Sequence, residues 1–384
     1  MIPAADRRIE LLVFCLVAAA FTTIYITQPV LPVLQAEFGV GAGAASLSVS
    51  AVILGIALAN LPFGMAADRY PIRPIILAGG SVVGAASLLC ALTPDFALLI
   101  GARFVQGLFI PSLTTCLAAY LARTLPLARL NVAMGSYVAA TVAGGLGGRL
   151  LGGWIHPPLH WRYAFLSAAV LLAAATLAAA RGLERGQGRS GPGADHAGFL
   201  ELLGRPELQR MCAVAFGGFF VFSSTFNFLP FYLTEPPLQA STEVITLMYL
   251  AYVVGIFMGP LAGRLANRMG GGATMALGAA VLALSIAITL VRSLPVVALG
   301  LAGICAGFFA IHAAAVGLLN SRLTSAKGRA NSLYVLFYYL GGAAGITLSG
   351  YAYTRWGWAG VATLCGSVLL LPFAIGVTER RPGR

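Results

Sequence analysis

The chain has 384 residues, of which 59% are hydrophobic and 9% charged, against about 25% charged in an ordinary soluble protein. So few charges cannot cover a water-soluble surface, which excludes a soluble enzyme, a secreted disulfide domain and a disordered chain. The 24 Lys and Arg against 12 Asp and Glu give a net charge of +12, but they are scattered between apolar runs, not gathered into the patch of a nucleic-acid binder.

A membrane-spanning helix needs roughly 20 mostly apolar residues. In chain order the sequence offers Leu11–Val33, Ala44–Ala66, Ile75–Leu92, Phe96–Leu121, Val132–Gly153 and Tyr163–Ala180. A polar stretch follows, and then come Met211–Leu233, Val244–Ala262, Ala273–Val291, Val296–Leu319, Ser332–Tyr353 and Ala359–Val377. These twelve runs predict an all-α integral membrane protein. They are too long and too uniformly apolar for the alternating strands of an outer-membrane barrel. The first run lacks a small-residue cleavage site before the next, so it reads as a span and not as a signal peptide.

The polar stretch divides six spans from six: residues 1–180 as one bundle, 181–210 as a linker and 211–384 as a second bundle. Within it, Gly186 to Gly198 is rich in Gly and holds Pro192, which reads as flexible. Phe199, Leu200, Leu202 and Leu203 beside Glu201 and Arg205 suggest a short amphipathic surface helix.

Arg and Lys crowd one set of connections, including Arg7, Arg8, Arg69, Arg73, Arg123, Arg129, Arg264, Arg268, Arg322, Lys327 and Arg329. The opposite set holds only Arg162, Arg292 and Arg355. The positive-inside rule makes the first set cytoplasmic, and both termini with it. Trp154, Trp161, Trp356 and Trp358 all fall at the other face, as interfacial anchors would. The six Cys lie inside spans without a C-x-x-C pair, so neither a metal site nor a cofactor is expected, and they read as small packing residues.

The halves echo each other at an offset of roughly 200 residues, a sign of duplication. Gly107-Leu108-Phe109 returns as Gly307-Phe308-Phe309, Asn131 as Asn331, Pro62 as Pro260, and Gln28 with Pro32 as Asn227 with Pro230. Parallel six-helix repeats belong to a large transporter fold.

The loop after span two reads Gly64-Met65-Ala66-Ala67-Asp68-Arg69-Tyr70-Pro71-Ile72-Arg73. It resembles the signature loop of the major facilitator superfamily, G-x-L-a-D-r-x-G-x-r, at Gly64, Asp68, Arg69 and Arg73, while Ala66 and Pro71 depart from the usual Leu and Gly. Gly263 to Gly270 is a degenerate copy with Asn267 in the Asp place. Arg103-Phe104-Val105-Gln106-Gly107 is similar to the family's R-x-x-q-G. The run Gly144 to Gly153 looks like the glycine-rich motif of the antiporter branch without its Gly-Pro pair. With Trp161-Arg162-Tyr163-Ala164-Phe165 the chain is most similar to bacterial drug/arabinose efflux permeases of twelve spans.

The resemblance implies a major facilitator fold in a bacterial inner membrane, working as a monomer that moves a small-molecule substrate by alternating access. It implies efflux coupled to protons; uptake or facilitated passage of a small metabolite, such as a sugar or an organic anion, is the alternative. In the family the Asp of the loop contacts the start of span eleven, near Asn331 here, so Gly64, Asp68, Arg69 and Arg73 form the expected conformational switch. The family's inner helices are spans one, four, seven and ten. Their polar residues here are Tyr25, Gln28, Arg103, Gln106, Asn227 and His312, the expected substrate cavity.

Arg103 falls on the order of 10 Å inside a roughly 30 Å apolar core, so it must snorkel, face water or find a partner. Arg149 lies about four residues from its outer helix end, where snorkelling competes with a functional role. No Asp or Glu stands in mid-span, which leaves Glu37, Asp68 or His312 as proton carriers.

Overall fold

The computed structural model describes residues 4–183, 198–323 and 327–379. The Gly-rich stretch from Gly186, with Arg185, Arg189 and Pro192, lies outside the described residues, as do Arg380, Arg381 and Arg384. Every regular element among the described residues is helical. In order they are α1 Ala4–Tyr25, α2 Leu31–Phe38, α3 Ala42–Ala45, α4 Leu47–Arg69, α5 Ile72–Leu92, α6 Phe96–Leu113, α7 Thr115–Thr124, α8 Leu127–Ile155 and α9 Arg162–Gly182. Then follow α10 Phe199–Leu203, α11 Pro206–Thr234, α12 Thr242–Met248, α13 Val253–Met269, α14 Gly271–Ile288, α15 Leu294–Arg322 and α16 Lys327–Thr378.

Ten helical stretches among the described residues are long and apolar enough to cross a membrane. The last of them breaks at Gly357, whose φ of 59° suits glycine alone, and so comprises two spans. The 29 residues of α8 reach about 43 Å, longer than a roughly 30 Å apolar core, and supply the twelfth. Several spans are broken where the sequence shows one run. The first divides between α1 and α2 because Pro29 offers no N–H to the carbonyl of Tyr25. The fourth divides after Leu113, two residues beyond Pro111.

The described chain forms two compact units, Met1–Val30 with Ala51–Ala194, and Leu31–Ser50 with Asp195–Arg384. In the first, α8 packs on α1, and α5 packs on α6 and α9. The α8–α1 contact explains the glycine-rich run. A Cβ at Gly144, Gly148 or Gly152 would overlap the carbonyl oxygens of Ala18, Thr22 and Ile26 in turn. This stripe, spaced i, i+4, i+8, lets two backbones meet.

In the second unit α11 packs on α16, and α14 on α15. The same device recurs roughly 200 residues later, as a duplication requires: Cβ atoms at Gly341 and Gly345 would overlap the carbonyls of Phe216 and Phe220. The short α10 buries Leu202 and leaves Leu200 exposed, as an amphipathic helix does.

Two expectations are corrected by packing. Trp154 and Trp356 are exposed, but Trp161 and Trp358 are buried. Trp161 packs edge-on to Phe165, while Trp358 stacks on Tyr232 and donates to Thr289 Oγ1 at 2.9 Å. A buried indole needs such an acceptor, and the Trp358 ring joins α16 to α11 and to the end of α14, while Trp161 is buried at the start of α9; neither anchors in lipid headgroups. Cys15 is exposed on its helix while the other five cysteines are buried.

Candidate functional site

In the first unit the break in α1 is the centre of a polar cluster. Where a helix ends, its last carbonyls lose their intrahelical donors. Arg103 of α6, fully buried, supplies replacements: it donates to Thr23 O at 2.7 Å, Ile24 O at 2.5 Å and Gln106 Oε1 at 2.6 Å. Its cation also meets the negative end of the α1 dipole. Gln106 in turn donates to Ser87 Oγ at 2.7 Å, and Ser87 donates to Val83 O at 2.9 Å. The chain of bonds thus runs from α1 through α6 to α5.

Arg149 of α8 is also buried, at 2% exposure, so it does not snorkel. Its Nε donates to Gln28 Oε1 at 2.7 Å, one terminal nitrogen donates to Gly145 O at 2.7 Å, and the guanidinium lies 3.9 Å over the ring of Tyr25. Tyr25, Gln28, Arg103 and Gln106 are therefore brought together around one helix break, with Arg149 as a fifth member. Depth measured along a straight helix leaves Arg149 between snorkelling and a functional role. The signal that could have found it is its spacing of four from Gly145, on the glycine face that meets α1.

In the second unit Asn227 of α11 is fully buried, and neither its Nδ2 nor its Oδ1 has a hydrogen-bond partner. Ser223, one turn earlier, also buries an unpartnered hydroxyl. His312 of α15 is half-buried, and its Nδ1 lies 3.0 Å from the hydroxyl of Tyr334. Around it runs an aromatic wall. Phe219 stacks on Tyr338 at 3.8 Å, Phe222 stacks on Phe308 at 4.0 Å, and Phe308 lies 6.0 Å from His312.

The signature loop is a tight connection, with α4 ending at Arg69 and α5 starting at Ile72. Asp68 forms an ion pair with Arg123 at the end of α7, and Arg123 also donates to Ala67 O at 2.6 Å. Arg69 is exposed and Arg73 half-buried, while a Cβ on Gly64 would meet only Thr115, at 3.9 Å. In the degenerate copy the turn between α13 and α14 is closed by Gly270 with φ at 87°. Asn331 donates to Asn320 Oδ1 at 2.8 Å. Glu37 is exposed on α2.

The sequence profile of the Major Facilitator Superfamily matches residues 13–309 and, in a second match, 237–384. The chain is 31% identical to a probable transporter of Streptomyces coelicolor, covering 99% of this chain and 89% of that protein. It is 28% identical to the inner membrane transport protein YnfM of Escherichia coli, covering 97% and 91%. It is also 28% identical to the uncharacterized MFS-type transporter YybF of Bacillus subtilis, covering 93% and 90%. Among solved structures, a bacterial homolog of the human lysosomal transporter Spinster, inward-facing and occupied, matches with a TM-score of 0.75 at 15% identity, covering 99% and 97%. The human organic anion transporter MFSD10 matches with a TM-score of 0.73 at 19% identity, covering 98% and 100%. At these identities the structural matches speak for the fold.

Proposed function

The chain belongs to the Major Facilitator Superfamily and is a membrane transporter, and we propose that it exports a small organic molecule by alternating access, in exchange for protons. It sits in a bacterial inner membrane with both termini in the cytoplasm, and it works as a monomer. The observation that supports a definite cargo chemistry is the pair of buried cations, Arg103 and Arg149, held by carbonyl and amide oxygens around the break in α1. Two guanidinium groups beside one helix break concentrate hydrogen-bond donors and positive charge there. A substrate with a carboxylate, phosphate or other acceptor-rich group is the complement of that charge. The pair of His312 and Tyr334 supplies the group that exchanges protons, since no Asp or Glu lies in mid-span.

The test begins with a ligand screen on the purified chain, reading thermal stabilisation by a panel of organic anions, neutral metabolites and cations. The best ligand is then followed in proteoliposomes and in everted vesicles. Accumulation against its gradient when the pH gradient is imposed, and its loss in His312→Ala, is the expected result. Flux that follows only the substrate gradient would replace exchange with facilitated passage, and accumulation in right-side-out vesicles would replace export with uptake.

A further inference from the structure

The second unit holds a crevice of about 700 Å³ between residues 41–47 and the turns of α16 that precede Gly357. That volume is in the range of about 300–1,000 Å³ typical of ligand sites. Gly41, Gly43, Leu47, Gly350, Tyr351 and Arg355 line it. Gly43 and Gly350 meet backbone to backbone, for a Cβ on Gly43 would lie 3.5 Å from Gly350 Cα. The contact leaves a smooth apolar trough beside it.

Thr347 and Thr354 also line the crevice, but their hydroxyls donate within their own helix, to Ala343 O at 2.9 Å and Gly350 O at 2.8 Å. Arg355 is thus the one charged group on an otherwise apolar lining. It forms no ion pair among the described residues, and its guanidinium lies 5.5 Å from the centroid of Trp356. Tyr351 and Trp356 are 74% and 64% exposed, the placing of an aromatic belt at a membrane interface.

An apolar trough with one cation at a belt is the complement of an amphiphile with one anionic head. We propose that the crevice is a binding site for an anionic phospholipid of the bilayer, with an acyl chain along Gly41, Gly43 and Gly350 and the phosphate at Arg355. A net-negative headgroup is preferred over a zwitterionic one because the ammonium of the latter opposes the attraction to Arg355. One Arg near a membrane surface is worth a preference of roughly fivefold. The site joins residues 41–47 to α16, so an occupying lipid holds those segments together. The proposal is independent of the cargo and of the direction of transport.

The test is native mass spectrometry of the purified full chain with phosphatidylglycerol or phosphatidylethanolamine of identical acyl chains. The expected result is one tightly retained phosphatidylglycerol, favoured roughly fivefold. Arg355→Gln should abolish the preference and Arg355→Lys should keep it. Gly41→Leu should expel both lipids: a Cβ at Gly41 meets nothing within 4 Å, and its φ of −75° suits any residue, so the new side chain fills the crevice without strain. Circular dichroism equal to the parent's confirms that each variant is folded. Equal retention of the two lipids by the parent overturns the proposal, as does an undiminished preference in Arg355→Gln or unchanged retention in Gly41→Leu.

Discussion

The guanidinium of Arg149 lies 3.9 Å over the ring of Tyr25, the last residue of α1, while its Nε holds Gln28 on the far side of the helix break. One side chain thus clamps both edges of a discontinuity. Tyr25→Phe keeps the ring and should leave the thermal midpoint near that of the parent. Tyr25→Leu removes a desolvated cation–π contact and should cost about 2 kcal/mol. Arg149→Met leaves Gln28 Oε1 buried without its donor, at a further cost of about 1–3 kcal/mol. Thermal unfolding of the purified chain in detergent ranks the three. A Tyr25→Phe variant as unstable as Tyr25→Leu would mean that the hydroxyl and not the ring carries the contact.

Arg103 has a different task, because it caps carbonyls. Arg103→Lys keeps the charge but gives up the planar fork that reaches Thr23 O, Ile24 O and Gln106 Oε1 together. It should lose most transport while remaining folded. Arg103→Ala leaves the end of α1 without donors in a dry interior, and it should lower both the yield of monodisperse protein and the thermal midpoint. Full transport by Arg103→Ala, measured in the same vesicles, would remove Arg103 from the site.

The spans were legible because a bilayer imposes length and apolarity on the sequence directly. The breaks within them were legible only in part. Pro29 and Pro111 are visible in the sequence, but the donors that repair a broken helix come from other spans, and no periodicity points to them. Arg103 was singled out by its depth, and the structure gives it carbonyl partners of the kind that depth demands. Gln28, three residues from Tyr25, pairs with Arg149, a partner 121 residues away that only the close α1–α8 packing brings near. Trp161 and Trp358 misled for a related reason. Sequence position placed them at a membrane face, but tertiary packing turned them inward.

Glycine spacing carries a sharper expectation. Gly148→Ala and Gly345→Ala each drive a methyl into a backbone carbonyl of the facing helix, that of Thr22 or Phe220, which has no rotamer to yield. Both should sharply reduce the fraction of folded protein. Gly147→Ala, next door, meets only Thr22 Oγ1 at 3.8 Å, an ordinary contact, and should be tolerated. Fluorescence-detected size exclusion of tagged variants separates the outcomes, and equal profiles for Gly147→Ala and Gly148→Ala would contradict the packing of α8 on α1.

Asp68 and Arg123 are both well exposed, with side chains at 57% and 34% of full accessibility, so their ion pair should add at most about 1 kcal/mol to stability. Asp68→Asn should therefore leave the thermal midpoint nearly unchanged while impairing transport, since the proposed role of this loop is in switching. Asn267 already lacks the charge, and Asn267→Ala should matter less. Equal and mild effects on transport at both positions would take the switch role from Asp68.

Glu379 gives the chain a pH dependence whose sign can be worked out. Its side chain is 6% exposed and accepts from Arg210 at 2.7 Å and from Arg322, so one carboxylate ties the start of α11 and the end of α15 to the end of α16. Burial alone would raise its pKa, but the two guanidinium groups outweigh burial and hold the carboxyl below the ordinary glutamate range. A group whose pKa is lower folded than unfolded stabilises the fold above the unfolded value, about 4.3 for Glu. That contribution should fade as pH falls from about 5 through the folded pKa, when protons neutralise the carboxylate and leave Arg210 and Arg322 facing each other. The thermal midpoint of the parent should thus fall as the pH drops below about 5. Glu379→Gln should be less stable at pH 7 and should lose much of that slope. A slope identical in parent and variant would take the acid sensitivity away from Glu379.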